Sequence, residues 1–199
     1  MNGDSPRNIT ILLDADEVIF DFVAGSARSH GIEPDALNSH RTPGVWDISG
    51  PLGELAIGRP FTPEEFWAPI NYGREEFWEN LDLLPWFKEL VEFVEEHSSE
   101  WHIVSAPSKC PTSYNGKVRA FKKVFGNDFD RFILTPHKSL FAKSNTILID
   151  DRDENVEKFI QAGGQGIVFP TIGNSRHAHR DFPISRLEIS LVRLLEQRD

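Results

Sequence analysis

Residues 9–18 indicate the fold of this chain, and they read Ile9-Thr10-Ile11-Leu12-Leu13-Asp14-Ala15-Asp16-Glu17-Val18. The run from Ile9 to Leu13 is apolar, rich in β-branched residues and too short for a helix, which predicts a buried strand of a parallel sheet. Two aspartates, Asp14 and Asp16, follow it. Ligands of open α/β sheets bind just beyond the carboxyl ends of the strands. The acidic pair is therefore either a solvated turn or part of a metal and phosphate site.

Alternating apolar runs and amphipathic segments continue over most of the chain. A first helix is predicted over residues 18–29, because apolar residues line one side and Gly31 follows. After Pro85 the pattern predicts helices over 86–97, 113–125, 154–162 and 183–197, and strands over 101–104, 131–134, 146–149 and 166–169. This alternation is typical of an α/β fold with a parallel sheet and helices on both faces.

Residues 31–81 have a different texture, with many prolines and aromatic residues and no convincing strand. Two short helices are predicted there. One begins with Thr62 as N-cap, Pro63 at the first helical position and acidic residues in the first turn. The other covers about 74–81. We therefore predict an α/β core over 1–30 and 82–199, with a small, mostly helical cap over 31–81.

Composition limits the classes of function. The chain has 199 residues and a formal net charge of −10, so we expect no binding to long nucleic acid. It has one cysteine, Cys110, which excludes an intrachain disulfide and suits a reducing cytosol. The polar N-terminus and the lack of a long apolar run predict a cytoplasmic protein without a membrane segment.

Further polar residues follow the other predicted strands. Ser105 ends the second strand, Lys138 follows the third, and Asp150 and Asp151 end the fourth. Because the ends of parallel strands converge, up to four carboxylates can approach one another, and such a cluster repels itself without a cation. Oxygen ligands without clustered Cys or His favour a hard ion, and Mg²⁺ fits best. Lys138 and Ser105 can then hold the oxygens of a phosphate.

These segments, in this order, resemble the four signature motifs of the haloacid dehalogenase (HAD) superfamily of phosphatases. Within it the chain is similar to the 5′(3′)-deoxyribonucleotidases, from about residue 9 to residue 177, although residues 31–81 match only loosely. The similarity includes the following features: Asp14-x-Asp16-x-Val18-x-x-Asp21-Phe22, Leu84-Pro85, Ser105-x-Pro107, Cys110-Pro111, Phe132-Ile-Leu-Thr135-x-x-Lys138, Leu148-Ile-Asp-Asp-Arg152 and Asn174-x-Arg176-His177.

The resemblance implies a role for each motif residue. Asp14 is the expected nucleophile, which forms an aspartyl-phosphate, and Asp16 the general acid and then base. Mg²⁺ is expected on Asp14, the backbone carbonyl of Asp16 and the later acidic pair, with Asp151 as the direct ligand and Asp150 behind it. Ser105 and Lys138 are expected to bind phosphoryl oxygens.

The resemblance also implies a substrate pocket and reveals departures from the family. Phe22, Trp46 and Tyr72 fall near positions that line the base and sugar pocket, although packing inside the cap is the alternative for each. Glu17 stands where the family has Gly, which alters the turn beside the site. Lys138 lies slightly further from Asp150 than is usual, so Lys143 is a candidate substitute. Three smaller departures are Ser105 for Thr, Ala106 for Ser and Pro136 for Arg.

The expected function is Mg²⁺-dependent hydrolysis of a small phosphate monoester, most specifically a deoxyribonucleoside monophosphate, 5′ or 3′. Another small phosphate metabolite is the alternative substrate. A phosphate-binding module without catalysis is a third interpretation, which the intact Asp14, Asp16 and Lys138 disfavour. The aromatic cap can support a homodimer, which the sequence does not decide.

Overall fold

The computed structural model describes residues 9–196, which form a parallel sheet with helices around it. The five strands have the order β3-β2-β1-β4-β5, so β1 is central. Thr10 on β1 pairs with Glu100 on one side and with Thr146 on the other. The predicted α/β fold class is confirmed. The strands are β1 Thr10–Leu13, β2 Glu100–Ser105, β3 Phe132–Leu134, β4 Thr146–Asp150 and β5 Gln165–Val168.

Helices connect the strands and cover the sheet. The polar segment before residue 9 and the predicted end of the last helix at Gln197 lie outside the described residues. Within 9–196, no helix is long and apolar enough to cross a membrane. The helices are α1 Phe22–Ser29, α2 Pro34–His40, α3 Ser49–Ile57, α4 Pro63–Tyr72, α5 Arg74–Glu79, α6 Phe87–His97, α7 Thr112–Phe125, α8 Asp153–Gln161 and α9 Pro183–Glu196.

Both faces of the sheet carry an apolar layer. Along each central strand alternate residues point to opposite faces. Leu12, Val104 and Leu148 form a buried cluster with Phe159 of α8 on one face. Ile11, Leu13 and their neighbours join the larger layer on the other face, together with residues of α1, α6, α7 and α9. Burial on both faces explains why the strands read as continuous apolar runs.

The first helix begins later than predicted, at Phe22 rather than residue 18. Residues 15–20 form a compact turn in which the backbone amides of Ile19 and Phe20 both donate to the carbonyl of Ala15. Phe20 then makes an isolated antiparallel bridge with Leu83. The turn buries the apolar residues 18–20. Buried apolar residues of this kind also occur at the start of a helix, so the sequence pattern predicted a helix here.

The segment 31–81, called the insert below, contains four helices rather than the two predicted. The capping box expected at Thr62 is present, with Glu65 as the reciprocal partner. The helix predicted over 74–81 ends at Glu79. The two additional helices are α2 and α3. Helix α3 contains Pro51 and Gly53, which disfavour a helix in sequence-based reading, but a Cβ at Gly53 would collide with the backbone at Phe61.

Candidate active site

Four strand ends bring the predicted polar residues together. Asp14 directly follows β1, and its backbone amide donates to the carbonyl of Ile149 on β4 at 2.9 Å. Asp150 is the last residue of β4 and Asp151 the next. One carboxylate oxygen from each of Asp14, Asp150 and Asp151 lies within 4.8 Å of the others, and all three residues are buried. The structure thus brings together acidic groups that are far apart in sequence.

Lys138 lies at the centre of this cluster. It begins a short 3₁₀ turn after β3. Its Nζ lies 2.6 Å from Asp14 Oδ1 and 2.6 Å from Asp150 Oδ2, and its side chain is only 4% exposed. Burial by itself lowers the pKa of Lys138, but the two carboxylates outweigh burial and raise it. Lys143, the alternative, is exposed and lies outside the cavity described below, so Lys138 occupies the expected place.

Asp150 and Asp151 differ in what their carboxylates contact. Asp150 accepts hydrogen bonds from Lys138, from the backbone amide of Arg152 at 2.9 Å and from Asn155 at 3.1 Å. No hydrogen bond from a residue within 9–196 reaches the Asp151 carboxylate. Asn174 holds this segment in place, because its side chain donates to the backbone carbonyl of Asp151 at 2.7 Å. Asp151 therefore offers the freer oxygens, and its role as the direct metal ligand stays a prediction.

The cluster is electrostatically suited to a cation. Burial and the neighbouring Asp150 raise the pKa of Asp14 to about 7. Burial and the same neighbour raise the pKa of Asp151 well above its ordinary value. Three buried carboxylates so close together repel one another, and a divalent ion relieves that repulsion. The donor set consists of oxygens, so a metal ion held there is a hard cation. The side chain of Asp16 is not part of this group, and the role expected of its backbone carbonyl stays a prediction.

Asp16 is held by a residue that the sequence analysis missed. Lys117 Nζ on α7 lies 2.6 and 2.7 Å from the two Asp16 carboxylate oxygens. The same ammonium lies 4.7 Å from the centre of the Trp78 ring on α5, so the insert contributes to this contact. Lys117 is buried in the middle of a helix, and its sequence neighbourhood has no signal that links it to Asp16, about a hundred residues away.

Ser105 carries an unpaired hydroxyl. Its side chain is fully buried at the end of β2, and its Oγ has no hydrogen-bond partner among the described residues. An unpaired buried hydroxyl costs free energy, so an acceptor supplied by a ligand would relieve this cost. Ser105 does not itself line the cavity described below, and its role as a phosphate ligand stays a prediction.

A cavity of about 400 Å³ opens above the acidic cluster. The catalytic candidates Asp14, Asp16, Lys138 and Asp151 lie at one end. Aromatic residues from α1 and the insert form the wall, and they are Phe22, Trp46, Phe66, Trp67 and Trp78. Phe22 and Trp46 therefore line the cavity, and their contact with a base or sugar stays a prediction.

Tyr72 is a correction. It is 89% exposed and does not line the cavity. Phe66 and Ile70 are the buried residues of α4. Because residues of an α-helix are about 100° apart around the axis, Tyr72 lies roughly 200° from Ile70 and points away from the wall. Its prediction relied on counting back from Leu84-Pro85, which does not account for the direction of a side chain.

The cavity also contains titratable residues that were not singled out as site residues, and Glu17 and Arg41 are two of them. Glu17 adopts a left-handed backbone conformation with φ of 61°. Its carboxylate accepts from the amide of Val23 at 2.9 Å, and burial and the nearby Asp21 raise its pKa to about 8. Arg41 follows α2 and is also buried. Neither belongs to a recognisable motif, and only the departure at position 17 gave a signal.

Solved structures share the fold of this chain, whereas no protein-family model and no curated protein matches it. A hydrolase from Streptococcus pneumoniae TIGR4 is 16% identical, with a TM-score of 0.53 over 86% of this chain and 97% of that one. A HAD family hydrolase from Deinococcus radiodurans R1, with bound phosphate and sodium, is 13% identical, with a TM-score of 0.54 over 92% and 89%. A predicted phosphoglycolate phosphatase from Haemophilus somnus 129PT is 14% identical, with a TM-score of 0.54 over 92% of each chain. The chain therefore has the HAD-like α/β fold.

Proposed function

We propose that this protein is a Mg²⁺-dependent phosphatase that hydrolyses small phosphate monoesters. The observation that carries the proposal is the group of Asp14, Asp150 and Asp151, whose ligand oxygens lie within 4.8 Å of one another beside Lys138. Bound phosphate in the Deinococcus radiodurans hydrolase of the same fold supports it. Asp14, Asp151 and the Asp16 backbone carbonyl would hold the metal, with Asp150 behind them. When bound, Mg²⁺ supplies positive charge that offsets repulsion between a carboxylate and phosphoryl oxygens.

The proposed reaction has two steps, each carried by residues of the cavity. In the first, a carboxylate oxygen of Asp14 attacks phosphorus, the bond to the leaving oxygen breaks, and Asp16 gives that oxygen a proton. In the second, Asp16 takes a proton from water, which attacks the aspartyl-phosphate and releases inorganic phosphate. Lys117 orients Asp16, while Lys138 and Ser105 bind phosphoryl oxygens. The insert limits the access of bulk water.

For the substrate we propose deoxyribonucleoside monophosphates, as 5′ or 3′ esters. Support comes from the motif resemblance and from the aromatic wall, because every nucleobase offers a π-face for stacking. The centre of the Trp46 ring lies 4.4 Å from the guanidinium carbon of Arg152, so this aromatic residue of the wall already stacks on a cation. Another small phosphate metabolite is the alternative within the same chemistry. A homodimer stays a prediction.

The test is release of inorganic phosphate from a panel of 5′- and 3′-nucleotides and sugar phosphates, with and without Mg²⁺. We expect Mg²⁺-dependent turnover, highest on deoxynucleotides. Asp14→Asn should lower the rate by several orders of magnitude and leave the circular dichroism spectrum unchanged, because the amide is a poor nucleophile. Asp128→Asn, on the exposed loop after α7, is the matched control.

Three results would contradict parts of this proposal. Near-normal turnover by Asp14→Asn would refute the nucleophile. Turnover confined to sugar phosphates would refute the nucleotide substrate but not the chemistry. Phosphate binding without turnover on any ester would favour a binding module.

A further inference from the structure

We propose that Arg41 of the insert binds a phosphoryl oxygen of the substrate, so that the phosphate itself connects the insert to the end of the sheet. This inference rests on the proposed function of the same site and adds a residue to it. Arg41 belongs to none of the motifs that carry the family resemblance, and it lies in the segment that matches the family only loosely.

The first observation is that the guanidinium Nε of Arg41 is buried without a hydrogen-bond partner. Arg41 is 7% exposed and lines the same cavity as Asp14 and Lys138. Its Nε has no hydrogen-bond partner, and no ion pair joins Arg41 to another residue within 9–196. A buried charged donor without an acceptor costs free energy, so such groups are normally paired. The missing acceptor is therefore expected to arrive with the ligand.

The second observation is that the surrounding backbone fixes where the guanidinium lies. The insert contacts the loop after β5, since the amide of Gly44 donates to the carbonyl of Ile172 at 2.8 Å. A Cβ at Gly173 on this loop would lie 2.6 Å from Arg41 Nη2, so only a glycine leaves room for the guanidinium in this position. Asn174, the next residue, is the one that donates to the Asp151 carbonyl. The loop that packs against Arg41 is therefore the same one that positions Asp151.

The third observation concerns the charges that face Arg41. Burial lowers its pKa, while Glu17, Asp151 and Asp21 raise it, and a guanidinium stays charged in proteins. These carboxylates have other contacts. Glu17 accepts from the amide of Val23, Asp21 accepts from the amide of Ala24 at 2.7 Å, and Asp151 belongs to the metal-binding group. Arg41 therefore remains available for an incoming anion, and its planar donors match phosphoryl oxygens.

The experiment measures binding of inorganic phosphate by calorimetry, in the presence of Mg²⁺, so that it does not depend on turnover. Arg41→Gln should weaken binding roughly ten- to a hundredfold, as expected for the loss of a charge-assisted hydrogen bond. Arg41→Lys should recover part of this loss, because it keeps the charge but not the planar geometry. Gly173→Ala, which displaces the guanidinium without removing it, should also weaken binding.

Arg59→Gln is the matched control. Arg59 belongs to the same insert, but it forms an exposed pair with Glu65 at 2.6 Å and lies outside the cavity. The phosphate affinity of the Arg59→Gln variant should stay within about twofold of the wild type, since surface pairs contribute little.

The outcomes separate this inference from the proposed function. Unchanged phosphate affinity in folded Arg41→Gln overturns the inference, and so does unchanged affinity in Gly173→Ala where Arg41→Gln does not fold. This holds even if KM for particular esters rises, because Arg41 then contacts the leaving group. Failure of the wild type to bind phosphate with Mg²⁺ overturns it as well. If Arg41→Gln loses phosphate but the wild type hydrolyses no ester, the inference holds and the phosphatase proposal fails.

Discussion

The buried hydroxyl of Ser105 allows stability and ligand binding to be separated at one residue. Because its Oγ has no partner, Ser105→Ala should leave the free energy of unfolding nearly unchanged, or raise it slightly, while it weakens phosphate binding. Ser113→Ala is the control: its Oγ donates to the carbonyls of Cys110 and Ser108, so its loss should cost about 1 kcal/mol and spare phosphate affinity. Urea unfolding measures the stability of each variant, and calorimetry measures its phosphate affinity. A large loss of stability in Ser105→Ala would contradict the prediction.

Glu17 makes stability depend on pH in a direction opposite to that of most carboxylates. Its pKa is about 8 in the folded protein against an ordinary 4.5, so the folded state binds this proton more tightly than the unfolded state. The corresponding stabilisation is complete below the ordinary pKa and is lost as pH rises through 8. Glu17→Gln should therefore raise Tm at pH 8 without metal, by roughly 2–4 °C for each kcal/mol gained, and give no such gain at pH 4. A gain of equal size at both pH values would contradict this origin.

The residues of the site fall into two groups: those that the sequence pattern identifies and those that only the structure reveals. Asp14, Ser105, Lys138 and Asp150 are visible in sequence because each ends or follows a strand, and parallel strands align their ends. Lys117 and Arg41 are not visible, because Lys117 contacts Asp16 from the middle of a helix and Arg41 lines the cavity from the position that follows α2. Their importance lies in burial and in the pairing of charges, which the linear sequence does not show.

Helices α5 and α7 pack so closely that a single methyl group is expected to separate them. A Cβ at Gly116 would lie 2.6 Å from the carbonyl oxygen of Glu75 and 2.6 Å from Cβ of Trp78. Gly116→Ala should therefore destabilise the protein by about 1–3 kcal/mol, in spite of the higher helix propensity of alanine. Asn115→Ala, exposed on the same helix, should stay within about 0.5 kcal/mol of the wild type. Denaturant unfolding measures the free energy of unfolding of both variants, and a stabilised Gly116→Ala would contradict the packing argument.

Elements of the sheet were predictable to within a residue or two, whereas the insert was not. Strands buried on both faces produce apolar runs, and the helices between them keep a regular periodicity. In the insert, α3 contains Pro51 and Gly53, so its local signals oppose a helix that tertiary contacts nonetheless stabilise. Helix α2 begins with Pro34, which favours a helix start, but its N-cap Glu33 makes no side-chain capping hydrogen bond. The start of α1 was misplaced for a related reason, because a buried turn and a buried helix carry the same apolar residues.

At the scale of the whole molecule, metal binding and pH should act together on stability. The pKa of Asp14 is raised to about 7 and that of Asp151 is raised as well, so both carboxyls hold protons at acidic pH that a cation must displace. Mg²⁺ should therefore raise Tm little at pH 5 and by several degrees at pH 8, since a ligand at a hundred times its Kd contributes about 2.7 kcal/mol.

Thermal unfolding across a Mg²⁺ titration at both pH values checks this expectation, with Na⁺ at equal ionic strength as the control. Asp151→Asn should lose most of the Mg²⁺ effect at pH 8. A Mg²⁺ effect that is the same at both pH values would show that the raised pKa values are not linked to metal binding.

The central place of β1 in the sheet has a consequence for biosynthesis. Thr10 pairs with Thr146 as well as with Glu100, so β1, which leaves the ribosome before β2 and β4, has to wait for β4 before both of its edges are covered. Until β4 emerges, Asp14 lacks Asp150 and Asp151, and the nascent chain has no complete acidic cluster to bind a cation. Ion uptake would then follow the emergence of β4 rather than nucleate folding, and chains stalled before β4 would carry an uncovered strand edge that favours aggregation or recognition by chaperones.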